Sequence, residues 1–593
     1  MGVSKFISIF VSPVESRKKD VEDHVVAVFM DGQPEIFKCF ETIRLNSEPY
    51  NEMNIKCGGM NFKVKKNYKV LDLFIDGCNM VVDELLTELD GIKNLKEFHL
   101  AMDGTPCYPK LHNQLERRKN TIAYYEDDKM IISESLTLPE TPVTQIFNQI
   151  INEKLKNYAN KRGIVVEISS SNVAGEGEHK MLDMVRRSKY ATFSTSNTEQ
   201  KILMISNDSD TIISLLSQSY VNIYIKTEIT KSPVHKITKY VSLKEIKDNM
   251  IATPIQSLNC TLVLAFAGND YLPEMLDSLE IGNFYNRAKT LANFHLTKEL
   301  TIKDDTDEYI VRIINDDALR DFLRIMSHNE LELYLSPTER DGSSDPLTNR
   351  RPPQFNMSKT EVISNRDGFK DMYYRYVHEQ YHKHVLLTKD YIEPSSEVIW
   401  DFENEIAIAY LKTYYWYYYY QSGYYVPEPL DNSVYVYGFP PLYNSLLKVF
   451  TDNTDLIHFS CIANPALTPK RRDENYFEKL PSFPQLQHFI VLQPREIYAI
   501  YGKALPFLDN EYREKKETPV FENKKYSVRI MSLGIKLYPR PDVKKFIDKF
   551  GTSEVIIKCK EIRTTTHGAN EIQKFRTTRL ADKYKISGYQ EIA

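Results

Sequence analysis

Four short apolar runs, VLDLFID (70–76), FHLAMD (98–103), GIVVEISSS (163–171) and KILMISND (201–208), each lead into a turn or a helix start, and three of them end on an aspartate. Runs this short and this rich in Val, Ile and Leu read as strands buried on both faces. Their alternation with helical stretches, from about Lys66 to about Asn286, predicts a mostly parallel sheet flanked by helices. Open sheets of this kind bind ligands in the crevice beyond the carboxyl ends of their strands. There the chain places acids: Asp76, Asp103, Glu176, Glu178, Asp208, Asp210 and, in TLVLAFAGNDYLP, Asp270.

Carboxylates gathered in one crevice repel, by about 4 kcal/mol for a pair about 4 Å apart at an effective dielectric near 20. A cation must offset them. Oxygen ligands without Cys or His pairs suit Mg²⁺ or Mn²⁺, and this many acids suggests two ions of the kind that cleave phosphodiesters. The ligands expected are Asp76, Glu176, Glu178, Asp208, Asp210 and Asp270, with Asp103 beside them as a catalytic carboxylate. His179 lacks a His or Cys partner nearby and is assigned to the helix surface or to a supporting role.

The segment AMDGTPCYPKLHNQLERR (101–118) leaves a strand end, turns, and becomes helix. Lys110, Gln114, Arg117 and Arg118 fall at i, i+4, i+7 and i+8, an arc of roughly 100° on one face. Three cations and an amide beside a metal centre suit a phosphate.

Other properties narrow the class. A net charge of −5 on 593 residues leaves any nucleic-acid affinity to local patches, such as Lys63 with Lys65 and Lys66, or Lys470-Arg471-Arg472. Seven scattered cysteines without a C-x-x-C pair argue against a disulfide framework or a zinc module and imply a reducing compartment. Without a membrane-length apolar stretch or a signal-peptide plan, the expectation is a cytoplasmic protein that acts as a monomer. Residues 336–358 are rich in Pro, Gly, Ser and charge and read as linker. In the tyrosine block that follows, Ile406, Ala409, Tyr410, Thr413, Tyr414 and Tyr417 recur at helical spacing, which predicts a packed helix.

Together these strings resemble the XRN family of 5′→3′ exoribonucleases. MGVSKF resembles the family's opening, LFIDG its first catalytic strand, and AMDGTPCYPKLHNQLERR its A-I-D-G segment. GEGEHK and AGNDYLP are close to verbatim, and YLKTYYWYYYYQSG resembles the second shared region, with Trp416 and Gly423 in register. The resemblance implies a PIN-like 5′-nuclease core over 1–286, a variable linker region over 287–365, and a second, largely helical aromatic-rich region over 366–448 that closes the active site. The region 449–593 has no assigned role.

It further implies processive degradation of single-stranded RNA to mononucleotides, with all seven acids catalytic. Lys110, Gln114, Arg117 and Arg118 become the 5′-monophosphate pocket, and decapping machinery a candidate partner. The chain departs from the pattern in places. The family's base-stacking His, six residues beyond the first aspartate, aligns with Val82, and its Trp-rich stretch reads DNSVYVYG (431–438), where Tyr435 or Tyr437 would substitute. The stretch between Phe6 and Asp76 is longer than the family's and carries no assigned role. The family's long C-terminal extension has no counterpart, which suggests a compact, viral-type member. Competing readings are a flap-type DNA nuclease, faintly echoed in LEIGNFYNRA (279–288), and an inactive RNA-binding scaffold.

Overall fold

A computed structural model of the chain describes residues 11, 21–47, 54–57, 60–63, 69–107, 110–111, 114, 121–126, 129–191, 199–216, 220–232, 235–251, 260–273, 275, 295–303, 308–335, 364–384, 391–422, 435, 437–452, 487–488 and 491. Its centre is a six-stranded sheet of β1 (Val25–Asp31), β2 (Glu97–Ala101), β3 (Val165–Ser169), β4 (Lys201–Ile205), β5 (Ile223–Ser232) and β6 (His235–Ser242). The spatial order is β6-β5-β4-β1-β2-β3. Neighbours are parallel except for the antiparallel pair β5 and β6 at one edge. A mostly parallel sheet flanked by helices, followed by a largely helical aromatic-rich region, is therefore the fold class.

Helices cover both faces. On one lie α1 (Gln33–Cys39), α2 (Val70–Asp90) and α3 (Pro142–Arg162), packed on Val28, Met30, Phe98, Leu100 and Leu203. On the other lie α4 (Gly177–Arg187) and α5 (Ser209–Leu216), packed on Ala27, Phe29, Ile202 and Met204. The alternation along β1 divides the two cores, as the two-residue period of a strand requires.

The run 70–76 is not a strand. It opens the 21-residue helix α2, in which Leu71, Phe74, Cys78, Val81, Val82, Leu85 and Leu89 form one buried stripe at helical spacing. Asp72, a charge in the middle of the run, fits a helix's first turn and does not fit a strand buried on both faces. The Gly77 of LFIDG serves packing: a Cβ there would sit 2.3 Å from the Cys39 carbonyl oxygen. The central strand is instead VVAVFMD, within the stretch left without a role, and it pairs with β2 on one side and β4 on the other.

Beyond the sheet, part of 287–365 is regular structure. Residues Thr297–Lys303 and Glu308–Ile314 form a hairpin, and α6 (Asp316–Leu335) buries Leu319, Phe322, Leu323 and Met326. Then come α7 (Arg366–His384), α8 (Ser396–Gln421) and α9 (Tyr443–Asp452). From Tyr410 to Gln421 every side chain of α8 except Lys412 is buried, so this stretch is enclosed on all sides. Its rings share one continuous core with Ala27, Phe29 and Met204 of the sheet. Tyr414 donates to the Leu262 carbonyl at 3.1 Å and Tyr410 to the Pro273 carbonyl at 3.2 Å. No described helix is long and apolar enough to cross a membrane.

Candidate active site

The chain runs from β1 outward through β2 and β3, then returns to the other side of β1 as β4, so its direction reverses between β1 and β4. At such a switch point the strand ends splay into a crevice. Asp31 is the last residue of β1 and is paired in register with Ala101, two residues before Asp103. Asp208 and Asp210 follow β4 on the opposite flank. Asp31 thus holds the strand-end position expected of Asp76, which stands within helix α2. The signal was available: VVAVFMDG is β-branched and uncharged up to its Asp-Gly.

Helix α4 begins against these acids. Its first residue, Gly177, donates its backbone N–H to Asp103 Oδ1 at 2.8 Å. A Cβ at Gly177 would lie 3.1 Å from Asp31 Oδ1 and 3.3 Å from Asp103 Oδ1, tight enough to push the helix start away from both acids. Glu176 and Glu178 flank this residue and are buried. Lys110 is buried among them, 2.7 Å from Glu176 Oε2, 2.9 Å from Asp270 Oδ2 and 4.0 Å from Glu178 Oε1. The lysine expected to face a phosphate alone is therefore also a counter-charge inside the acidic nest.

The electrostatics show that one ammonium does not balance the nest. Burial, with the charges of Asp103 and Asp208, pushes the Asp31 carboxyl well above the ordinary carboxylate range. Burial, with Asp208 and Glu176, does the same to Glu178 against the pull of Lys110. Burial with Asp208 and Asp270 raises Asp210 to about 8, and one of its oxygens, Oδ1, is buried without a hydrogen-bond partner among the described residues. Burial also raises Asp103, opposed by the Gly177 N–H. Glu176 is lowered: burial acts against it, and the charge of Lys110, with other contacts, outweighs that. Carboxylates held above their ordinary range by burial and by one another fit a site built for divalent cations.

His179 is buried, not on the helix surface. Its ring packs on Tyr420 with centroids 3.8 Å apart, and burial depresses it to about 4, so the imidazole is neutral at pH 7. Its Nε2 has no hydrogen-bond partner among the described residues. Ligand atoms of Glu176, Glu178 and His179 lie within 4.8 Å of one another, and the neutral ring suits a metal or its surroundings. Lys180, lowered to about 7 by burial, donates to the carbonyls of Ser170 and Val173 at 3.0 Å each and so ties down the loop before Glu176.

The aromatic region reaches the same point. Tyr271 donates to Glu176 Oε1 at 3.0 Å, and Tyr420 of α8 donates to the same oxygen. Trp416 stacks on Tyr420 at 5.1 Å and meets Tyr271 edge-on at 5.0 Å. Sequence spacing identified the helix but not this contact, since nothing local distinguishes Tyr420 from its neighbours. Tyr420→Phe is expected to cost about 1.5–3 kcal/mol of stability, the range for a hydrogen bond to a charged group. Urea unfolding would show a much smaller cost in a Glu176→Ala background, where the acceptor is gone.

Other expected positions fall differently. Gln114 is buried and its Oε1 accepts from Gln487 at 2.8 Å, while Arg117 and Arg118 lie outside the described residues, as does 279–288. Val82 is fully buried in α2; counted from Asp31, the position six residues on is Phe37, which is 36% exposed. Tyr435 and Tyr437 are core residues, not free faces for a base: their hydroxyls bond the Phe439 carbonyl and Glu405, and their rings pack on Tyr410 and Phe402.

Residues 1–228 match the family model for the XRN 5′-3′ exonuclease N-terminus. Among curated proteins the chain is similar to 5′-3′ exoribonuclease 1 of Saccharomyces cerevisiae, at 27% identity over 226 residues. That alignment covers 31% of this chain and 15% of the yeast protein's length.

Proposed function

We propose that the chain, whose residues 1–228 match the XRN N-terminus, is an XRN-family enzyme, a processive 5′→3′ exoribonuclease acting on single-stranded RNA with a 5′-monophosphate. The observation that carries the reading is the convergence of Asp31, Asp103, Glu176, Glu178, Asp208, Asp210 and Asp270 on one crevice at the sheet's switch point, with Lys110 among them. Asp31, Glu176, Glu178, Asp208, Asp210 and Asp270 would hold two Mg²⁺ or Mn²⁺ ions. Bound there, such ions supply Lewis-acid stabilisation of charge on the phosphodiester and activate water.

The remaining roles belong to the chain itself. Lys110 holds Glu176 and Asp270 in place and adds positive charge beside the terminal phosphate, which Gln114, Arg117 and Arg118 help to grip. Tyr271 and Tyr420 fix the Glu176 carboxylate. Phe37, half-exposed on α1 just beyond Asp31, takes the terminal base, a stack worth about 1–3 kcal/mol. Each cut makes a new 5′-phosphate, so the same grip is regained one nucleotide on, and this favours processive movement.

The test compares RNA bearing 5′-monophosphate, 5′-hydroxyl and 5′-triphosphate ends, with Mg²⁺ or EDTA and with Asp208→Ala as control. Mononucleotide release is expected from the monophosphate end, at least about tenfold faster than from the others. Equal rates on the three ends would refute the pocket, and digestion in EDTA would refute the metal site.

A further inference from the structure

The region 449–593, unassigned from sequence, sends three described residues into the nuclease core. Gln487 and His488 are buried, and Val491 is fully buried in the core of α1, α2 and α3. His488 Nε2 lies 2.6 Å from the Pro139 carbonyl oxygen, which fastens the segment to the turn before α3. Gln487 donates its side-chain N–H to Gln114 Oε1 at 2.8 Å, across 373 positions of sequence. Among the described residues Gln487's own Oε1 has no hydrogen-bond partner.

We propose that Gln487 is a positioning residue of the 5′-end site: it occupies the Gln114 oxygen and so presents the Gln114 amide nitrogen as the donor to an anionic RNA terminus. The proposal rests on the reading of Gln114 as a phosphate-binding residue. A glutamine pair can join in two ways, by turning both amides. With the Gln114 oxygen held by Gln487, a donor remains for the ligand. With both amides turned, an oxygen faces it instead. A phosphate accepts hydrogen bonds and repels a carbonyl, so it selects the first arrangement; a hydroxyl both donates and accepts and selects neither. Gln487 thereby makes the site discriminate by the charge of the terminus. It also makes the distal region part of the substrate specificity.

The experiment uses the full chain and reads one ratio, kcat/KM on 5′-monophosphate RNA over kcat/KM on 5′-hydroxyl RNA. Gln487→Met, which keeps the length and removes the donor, should lower the ratio about tenfold, in the range of a charge-assisted hydrogen bond. Gln114→Met should lower it at least as much, and Gln487→Met should lower it no further in that background. Gln487→Asn, which keeps an amide but ends one methylene short, serves where the Met variant does not fold and should also lower the ratio. A wild-type ratio in the folded variant, or an equal drop with Gln114 already replaced, overturns the proposal while leaving the pocket intact. A wild-type enzyme without end preference overturns the pocket itself and the proposal with it.

Discussion

Asp31→Ala should lower 5′→3′ RNA hydrolysis by a factor of about 10² to 10³, the several kcal/mol that a correctly held metal contributes to the transition state. Asp76→Ala should leave hydrolysis within a few-fold of wild type. The contrast follows from placement: Asp31 closes the central strand beside Asp103, with a backbone N–H of Gln33 on its Oδ1 at 3.0 Å, whereas Asp76 stands inside α2. Initial rates on 5′-monophosphorylated RNA, with circular dichroism to show that both variants fold, decide it. Comparable losses in the two variants would mean that the crevice has been assigned to the wrong strand.

In EDTA, Asp210→Asn should make the protein more stable at pH 8, by an amount on the order of a few kcal/mol, and leave it unchanged near pH 4. Asp210 has a folded pKa of about 8 against 3.8 for the free side chain. A carboxyl raised in this way favours the fold fully below the unfolded value, and that contribution is lost as pH climbs through the folded value. Asparagine resembles the protonated acid at every pH, so its advantage opens between the two values, where the unfolded carboxyl ionises and the folded one, buried beside Asp208 and Asp270, does not. Saturating Mg²⁺ should reverse the order at pH 8, because a ligand bound only to the folded state stabilises it by mass action and the variant has one carboxylate fewer to bind it. Urea unfolding at the two pH values, with EDTA or Mg²⁺, measures all four states. A variant no better than wild type at pH 8 in EDTA would show that Asp210 is not under the strain described.

The strand runs at 98–103, 163–171 and 201–208 were legible because each is short, mostly uncharged and ended by a polar turn. The run at 70–76 misled because its seven residues, cut from a 21-residue helix, have the same composition as a strand; only the apolar spacing out to Leu89 separates the two. It put Asp76, which stands within α2, at the strand end that Asp31 occupies in the structure. Counting six residues from Asp76 also led to buried Val82, whereas the same count from Asp31 reaches Phe37, 36% exposed. The packed tyrosine helix could be read from its periodicity. Its hydroxyl contacts could not, because Tyr420 and Glu176 are 244 positions apart and nothing local marks one tyrosine among many. Gln487 was invisible for the same reason: a hydrogen bond across 373 positions leaves no pattern in either segment.

A ribosome making this polypeptide releases Glu176 long before Tyr420. Until residue 420 has left the exit tunnel, Glu176 lacks the second phenol that steadies it, and the side of the sheet bearing Ala27, Phe29 and Met204 stands uncovered by the rings that later close over it. A chain stopped short of that point exposes apolar surface and is prone to aggregate. The enclosure of α8 thus makes the completion of this face, and of the contacts on Glu176, a late event in synthesis.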